Sequence, residues 1–287
     1  MSDPSGTVEA SADDVGTGLP VRVAVASLSG ESDADWARAA APYVDTAFMG
    51  GIALDEPTRA AAREMVARDR TEFLPRDPVA FVDEQLEAVA DAPIRPAFNV
   101  RAVSPDPVRE AATVCAAHDA ILEVNAHCRQ DEMCAAGAGE SLLRDPHRLC
   151  TQVEAAARAG ATVSVKVRAE IDGVDLPAVA RRAEEAGADV VHVDAMDSEP
   201  MVGAVASATD AAVVANNGVR DRETAWEYLA YGADAVSVGR PSDDPAVLER
   251  VAAAVTEWFD GEERPERVDG EAGSERAVGP TPGGPDP

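Results

Sequence analysis

The chain has 287 residues, with 53 acidic against 25 basic side chains, a formal charge of -28, 46% apolar residues and only 4% aromatics. This length suits one α/β barrel with short tails and a sizeable core. The charge argues against a broad nucleic-acid surface, and no apolar run approaches the ~18 residues of a membrane helix.

Lys166 is the sole lysine; every other basic residue of the Lys/Arg class is arginine. This acidic, arginine-based composition is that of a halophilic protein from a salt-saturated cytoplasm, where a Debye length of about 3 Å screens self-repulsion. The acidic start, Met1 to Gly16, lacks the basic and apolar regions of a signal peptide, so a cytoplasmic location is expected. Cys115, Cys128, Cys134 and Cys150 show no CxxC spacing and are expected to stay reduced.

In chain order, residues 1–19 are small and acidic and read as a disordered tail, residues 20–260 as one barrel domain, and residues 261–287, rich in Gly, Pro and Glu, as a second tail. Within the domain, Val/Ala-rich runs near 22–27, 44–49, 94–100, 120–125, 162–167, 189–193, 211–215 and 234–238 alternate with helical patterns. A junction recurs at Ala159-Gly160-Ala161-Thr162, Ala186-Gly187-Ala188-Asp189 and Tyr231-Gly232-Ala233-Asp234. At each, glycine can close a helix in the left-handed cap before a strand. Eight strands with intervening helices predict a (β/α)8 barrel, with a doubly wound open sheet as the alternative.

Alternation along the strands sorts their faces. Val163, Val165 and Val167 form an outer face, with Thr162, Ser164, Lys166 and Arg168 inward. The same sorting turns Asn99, Arg101, Glu123, Asn125 and His192 inward, so Asn99, Asn125, Lys166 and His192 converge on one mouth. An inward lysine costs desolvation energy unless a partner or ligand compensates it. Glu123 is one candidate partner and a bound anion or electron-rich ring another.

The polar loop from Glu123 to Cys134 follows the fourth strand and holds Cys128, a candidate nucleophile, general acid or metal ligand. Zinc on His127, Cys128 and Cys134 lacks zinc-finger spacing, and no metal is expected. After the seventh and eighth strands, Ala215-Asn216-Asn217-Gly218-Val219 and Val238-Gly239-Arg240 have the small residues that let backbone N–H groups approach a phosphate.

These residues resemble the tRNA-dihydrouridine synthase family of FMN-dependent barrels, especially a shorter archaeal branch, over roughly residues 22–258. The family's Asn-x-Gly-Cys-Pro loop and the Val and Gly-Ser/Ala-x-Leu-Leu positions beyond it match Asn125, Cys128, Met133, Gly139, Leu142 and Leu143 without a gap. The pattern Lys-x-Arg matches Lys166 and Arg168, and the sixth-strand histidine matches His192. Ala26 to Asp33 matches the first flavin loop more weakly, and Asn99 stands where the family usually has Gln.

The resemblance implies FMN across the mouth, contacted by Ala26, Asn99, Lys166, His192, Asn216, Asn217, Gly218, Gly239 and Arg240. Asn125 and Arg168 would hold a uracil ring, and Cys128 would donate a proton at C5 as hydride passes between flavin N5 and uracil C6. The implied substrate is uridine in tRNA or a related pyrimidine, with NAD(P)H as reductant. The chain departs from the pattern at His127 (family Gly), Arg129 (Pro) and Val193-Asp194 (Gly-Arg), and past Phe259 no counterpart of the tRNA-gripping helical domain is expected. Two rival readings are a Schiff-base aldolase using Lys166 and a non-catalytic flavin- or nucleotide-binding barrel.

Overall fold

Aspartate starts most of the helices in the computed structural model, which describes residues 21–261. Asp33, Asp55, Asp145, Asp221 and Asp244 each accept a backbone N–H of the first helical turn, and proline often follows within the first two helical positions. The expected tails, apart from Gly261, lie outside the described residues.

In chain order the elements are β1 (Val23–Val25), α1 (Ala34–Ala40), β2 (Thr46–Ala53), α2 (Glu56–Val66), α3 (Pro78–Ala88), β3 (Arg95–Arg101), α4 (Pro105–Ala117), β4 (Ile121–Asn125) and α5 (Asp131–Ala136). They continue with α6 (Pro146–Arg158), β5 (Thr162–Arg168), α7 (Leu176–Glu185), β6 (Val190–Asp194), α8 (Pro200–Ala206), β7 (Ala212–Asn216), α9 (Arg222–Ala230), β8 (Ala235–Val238) and α10 (Pro245–Asp260). Each strand pairs in parallel with the next, and β8 returns to β1, so the sheet is a closed barrel rather than an open one. The three glycines of the repeated junction have φ of +87°, +107° and +97°, the left-handed cap expected of them.

At the opposite end from the mouth, a recurring device fixes the strands. Asp45, Asp189 and Asp234, each just before a strand, accept a backbone N–H from the first or second residue of the preceding strand at 2.8–2.9 Å. These carboxylates satisfy strand-end donors that would otherwise depend on water.

The core has two shells. Phe98, Val100, Leu122, Val124, Val163, Val165, Val167, Val191 and Val193 face the helices in one large cluster, as the alternation predicts. Inside the barrel the floor is apolar, with Phe48, Ala97 and Ile121 on one side and Val190, Val214 and Ala235 on the other. Polar side chains lie above this floor, and Phe48 packs against the His192 ring at 4.8 Å. Among the described residues, no helix is long and apolar enough to cross a membrane.

Candidate active site

Strand alternation carries Asn99, Glu123, Ser164, Lys166, His192 and Ser237 into the barrel, all of them buried. Glu123 is their hub. Its carboxylate accepts from Asn99 Nδ2 at 2.7 Å and from Ser164 Oγ at 3.0 Å, and pairs with His192 Nδ1 at 2.7 Å. Burial opposes its charge, but His192, then Lys166 and the Asn99 N–H, more than offset this and hold the carboxyl down at about 2.

His192 is itself held below the usual imidazole range by burial, with Lys166 adding to that effect and Glu123 opposing it. The ionised carboxylate is the firmer assignment, because three groups hydrogen-bond to it. A neutral His192 completes the network: Nδ1–H donates to Glu123, and Nε2 accepts from Ser237 Oγ at 2.7 Å. Ser237 in turn accepts from Asn216 Nδ2 at 2.8 Å.

The remaining expected site residues divide into engaged and free groups. Asn125 Nδ2 donates to Asn99 Oδ1 at 2.9 Å, while its Oδ1 accepts the backbone N–H groups of His127 and Cys128 at 3.3 and 3.0 Å. Asn99 and Asn125 therefore each retain a single N–H for a ligand, and both ring nitrogens of His192 are taken. Lys166 differs: it is 2% exposed, yet among the described residues its ammonium makes no hydrogen bond or ion pair. Burial lowers its pKa against the pull of Glu123 and Asp194.

Cys128 lies in the loop after β4, 7% exposed, among Ala61, Met65, Met133 and Ala138. It is more deeply buried than the polar loop sequence suggests. Its carbonyl accepts from Glu140 N at 2.9 Å, and Gly139, at φ +62°, has no room for a Cβ against that carbonyl. Arg168 stands at the rim, 3.6 Å from Glu140. His127 Nδ1 faces Asp194 Oδ2 at 3.8 Å, and Asn217 Nδ2 donates to Asp194 Oδ1 at 2.7 Å. Burial, reinforced by Lys166, pushes His127 down to about 3, so it is neutral at pH 7.

At the β7 and β8 ends, Asn217 and Gly218 have φ of +92° and +70°. A Cβ at Gly218 or Gly239 would meet nothing closer than 3.9 Å, so both backbones face open space. Arg240 is exposed and, among the described residues, makes no hydrogen bond or ion pair. Ala26 is buried at the end of β1, with its N–H donated to Val238 O at 2.9 Å. Among the described residues, no three His, Cys, Asp or Glu side chains converge as a metal site.

Ser237 escaped the sequence reading, although its place between Val236 and Val238 in the last strand marks it as inward. Glu72 also escaped it. It reaches Arg101 from the connection after α2, which no strand periodicity covers.

A family model described as dihydrouridine synthase (Dus) matches residues 47–269. The chain belongs to the dihydrouridine synthase family. This is a family of flavin-dependent oxidoreductases. Relatives include the uncharacterized protein MJ0144 of Methanocaldococcus jannaschii, 26% identical over 77% of this chain and 89% of its own length. A probable tRNA-dihydrouridine synthase of Rhizobium leguminosarum bv. phaseoli is 28% identical over 76% of this chain and 68% of its own. Among solved structures, DHODH from Eimeria tenella in complex with ferulenol superposes with a TM-score of 0.62, at 16% identity over 83% of this chain and 81% of that one. At that identity the likeness is one of fold.

Proposed function

We propose that this protein is an FMN-dependent reductase of the C5–C6 double bond of uridine in tRNA or of a related pyrimidine, with NAD(P)H as the electron source, working in a cytoplasm of molar salt. One observation carries the reading: above a polar network whose members satisfy one another, Lys166, a buried residue, presents an ammonium with no hydrogen-bond or ion-pair partner among the described residues. An electron-rich ring or anion bound at the mouth supplies that partner. The open backbone at Gly218 and Gly239 and Arg240, unpaired among the described residues, fit the phosphate end of the same ligand.

When bound, FMN supplies the hydride that adds at the pyrimidine C6. The residues of this chain then have distinct tasks. Lys166, His192, Asn99 and Ala26 would hold the flavin at the mouth. Asn216, Asn217, Gly218, Gly239 and Arg240 hold the phosphate end. The free N–H of Asn125 and the guanidinium of Arg168 orient the pyrimidine and stabilise the negative charge that builds on it. Cys128 gives the proton to C5.

The test is purification in high salt followed by FMN uptake, then nucleoside mass spectrometry of tRNA from a deletion strain. The expected results are a yellow protein and loss of dihydrouridine from the tRNA. Unchanged dihydrouridine would restrict the substrate to another pyrimidine, and a colourless protein that takes up no FMN would overturn the reading.

A further inference from the structure

His127 and Asp194 stand at two positions where the chain departs from the family pattern, histidine for Gly and aspartate for Arg, and the fold brings them together. On β6, Asp194 follows His192 by two residues on the inward face, and in the loop after β4, His127 follows Asn125 by two. Asn125 and His192 are the register partners of Lys166 on either side. The two side chains therefore meet across the end of β5, on the rim side of Lys166, with His127 Nδ1 3.8 Å from Asp194 Oδ2.

Both residues are fixed by bonds that leave these facing atoms free. Asn217, left-handed at φ +92°, donates from Nδ2 to Asp194 Oδ1 at 2.7 Å, and Tyr228 Oη donates to the Asn217 carbonyl at 2.9 Å. The His127 backbone N–H donates to Asn125 Oδ1 at 3.3 Å. Among the described residues, Asp194 Oδ2 and both ring nitrogens of His127 make no hydrogen bond. The His127 side chain is 26% exposed and that of Asp194 15%, so a ligand in the mouth can reach both.

Charge and spacing select what fits between them. Burial opposes the charge of Asp194, but His127, the Asn217 N–H, Lys166 and Arg168 hold it below the usual carboxylate range. With His127 neutral at pH 7, an anionic acceptor faces an imidazole. A gap of 3.8 Å is too long for a direct hydrogen bond, yet one ligand oxygen can sit at ~2.8 Å from both atoms. A phosphate oxygen there would be repelled by the carboxylate, and a carbonyl oxygen has no proton to give it. A hydroxyl satisfies both groups, donating to the carboxylate while accepting from the imidazole.

We propose that His127 and Asp194 form a recognition site for a sugar hydroxyl, which donates to Asp194 Oδ2 and accepts from His127 Nδ1–H. The inference rests on the flavin and pyrimidine given to this mouth above, and either ligand can bring the hydroxyl. The ribityl chain of FMN is one source, because Asp194 lies between Lys166 and the Asn217–Gly218 turn given to the phosphate end. The uridine ribose is the other, through the 2′-hydroxyl that stays free inside an RNA chain and distinguishes ribose from deoxyribose.

The test is a pair of binding cycles in molar salt on wild type, Asp194→Ala and His127→Ala, with circular dichroism to confirm the fold. In the first, flavin-free protein is titrated with FMN and with an analogue carrying the same ring and phosphate on a plain pentyl chain, read by flavin fluorescence. In the second, FMN-loaded protein is dialysed against uridine and against 2′-deoxyuridine. Wild type should prefer the hydroxylated ligand by about tenfold or more in one of the cycles, and each variant should lose most of that preference. Loss in the first cycle assigns the hydroxyl to the ribityl chain, and loss in the second assigns it to the ribose. Asp194→Asn, which keeps an oxygen for Asn217 and turns an amide N–H toward the ligand, serves if the alanine variant does not fold, and it too should lose the preference. No preference in wild type, or the same preference in the variants, would overturn the proposal, with uridine that fails to bind counted as no preference. A wild type that takes up no FMN overturns the reductase reading as well, whereas FMN bound without either preference overturns the hydroxyl site alone.

Discussion

Two charged regions share the mouth of this barrel and are built on opposite principles. Around Glu123 each charge is matched: Asn99, Ser164 and His192 bond the carboxylate, and Ser237 and Asn216 complete the far side. At Lys166, a buried residue, the ammonium has no hydrogen-bond or ion-pair partner among the described residues, and Arg101, paired with Glu72, keeps an unbonded Nε. A satisfied network fixes geometry, whereas an unsatisfied one is poised for a ligand or a chemical step. Removing a residue from the first region should therefore cost stability, and removing one from the second should cost binding or turnover.

The largest stability effect belongs to the hub. Glu123→Ala leaves His192, Asn99 and Ser164 buried without their acceptor and should destabilise the fold by about 3–5 kcal/mol, read from the urea midpoint. A loss below about 1 kcal/mol would mean that the network is not a structural unit. In the second region, Cys128→Ala should keep the fold and bound flavin yet slow reduction of unmodified tRNA by about a hundredfold or more. Normal turnover would remove its acid role.

Gly30→Ala tests how the second region is assembled. The added methyl strains a left-handed backbone and pushes the Thr71–Glu72 segment away, at about 1–3 kcal/mol, and circular dichroism melts would register the loss. Acid provides a milder test. Glu123 is depressed to about 2 and His127 to about 3 in the folded chain, so in both cases the unfolded chain binds protons first as pH falls. Stability should hold above pH 6.5, start to decline below it as unfolded His127 and His192 protonate, and fall further between about 4.5 and 2 through Glu123. The 6.5 limb should shrink in His127→Ala and the lower limb should shrink in Glu123→Gln.

The satisfied region was largely legible in the sequence and the unsatisfied one only in part. Strict alternation along β3 to β6 reports which side chains point inward, so Asn99, Glu123, Asn125, Lys166 and His192 could be placed together without coordinates. Alternation does not report bonding. It could not show that His192 has both ring nitrogens occupied, or that the Asn125 carbonyl is spent on its own loop. Glu72 lies on a connection whose path is set by Gly30 and the β2 bulge, features that leave no period in the sequence. Cys128 shows a third limit. Its polar neighbours suggested an open loop, but Met65 from α2 and Met133 from α5 close over it.

The central claim is that the unpaired ammonium of Lys166 is the group that receives the flavin. It is tested most directly by titrating FMN into the flavin-free protein in molar salt, wild type against Lys166→Met, with quenching of flavin fluorescence as the readout and circular dichroism to confirm the fold. The account predicts a folded variant whose FMN affinity is at least about tenfold weaker, a loss of roughly 1.4 kcal/mol. Equal affinity in a folded variant would contradict it.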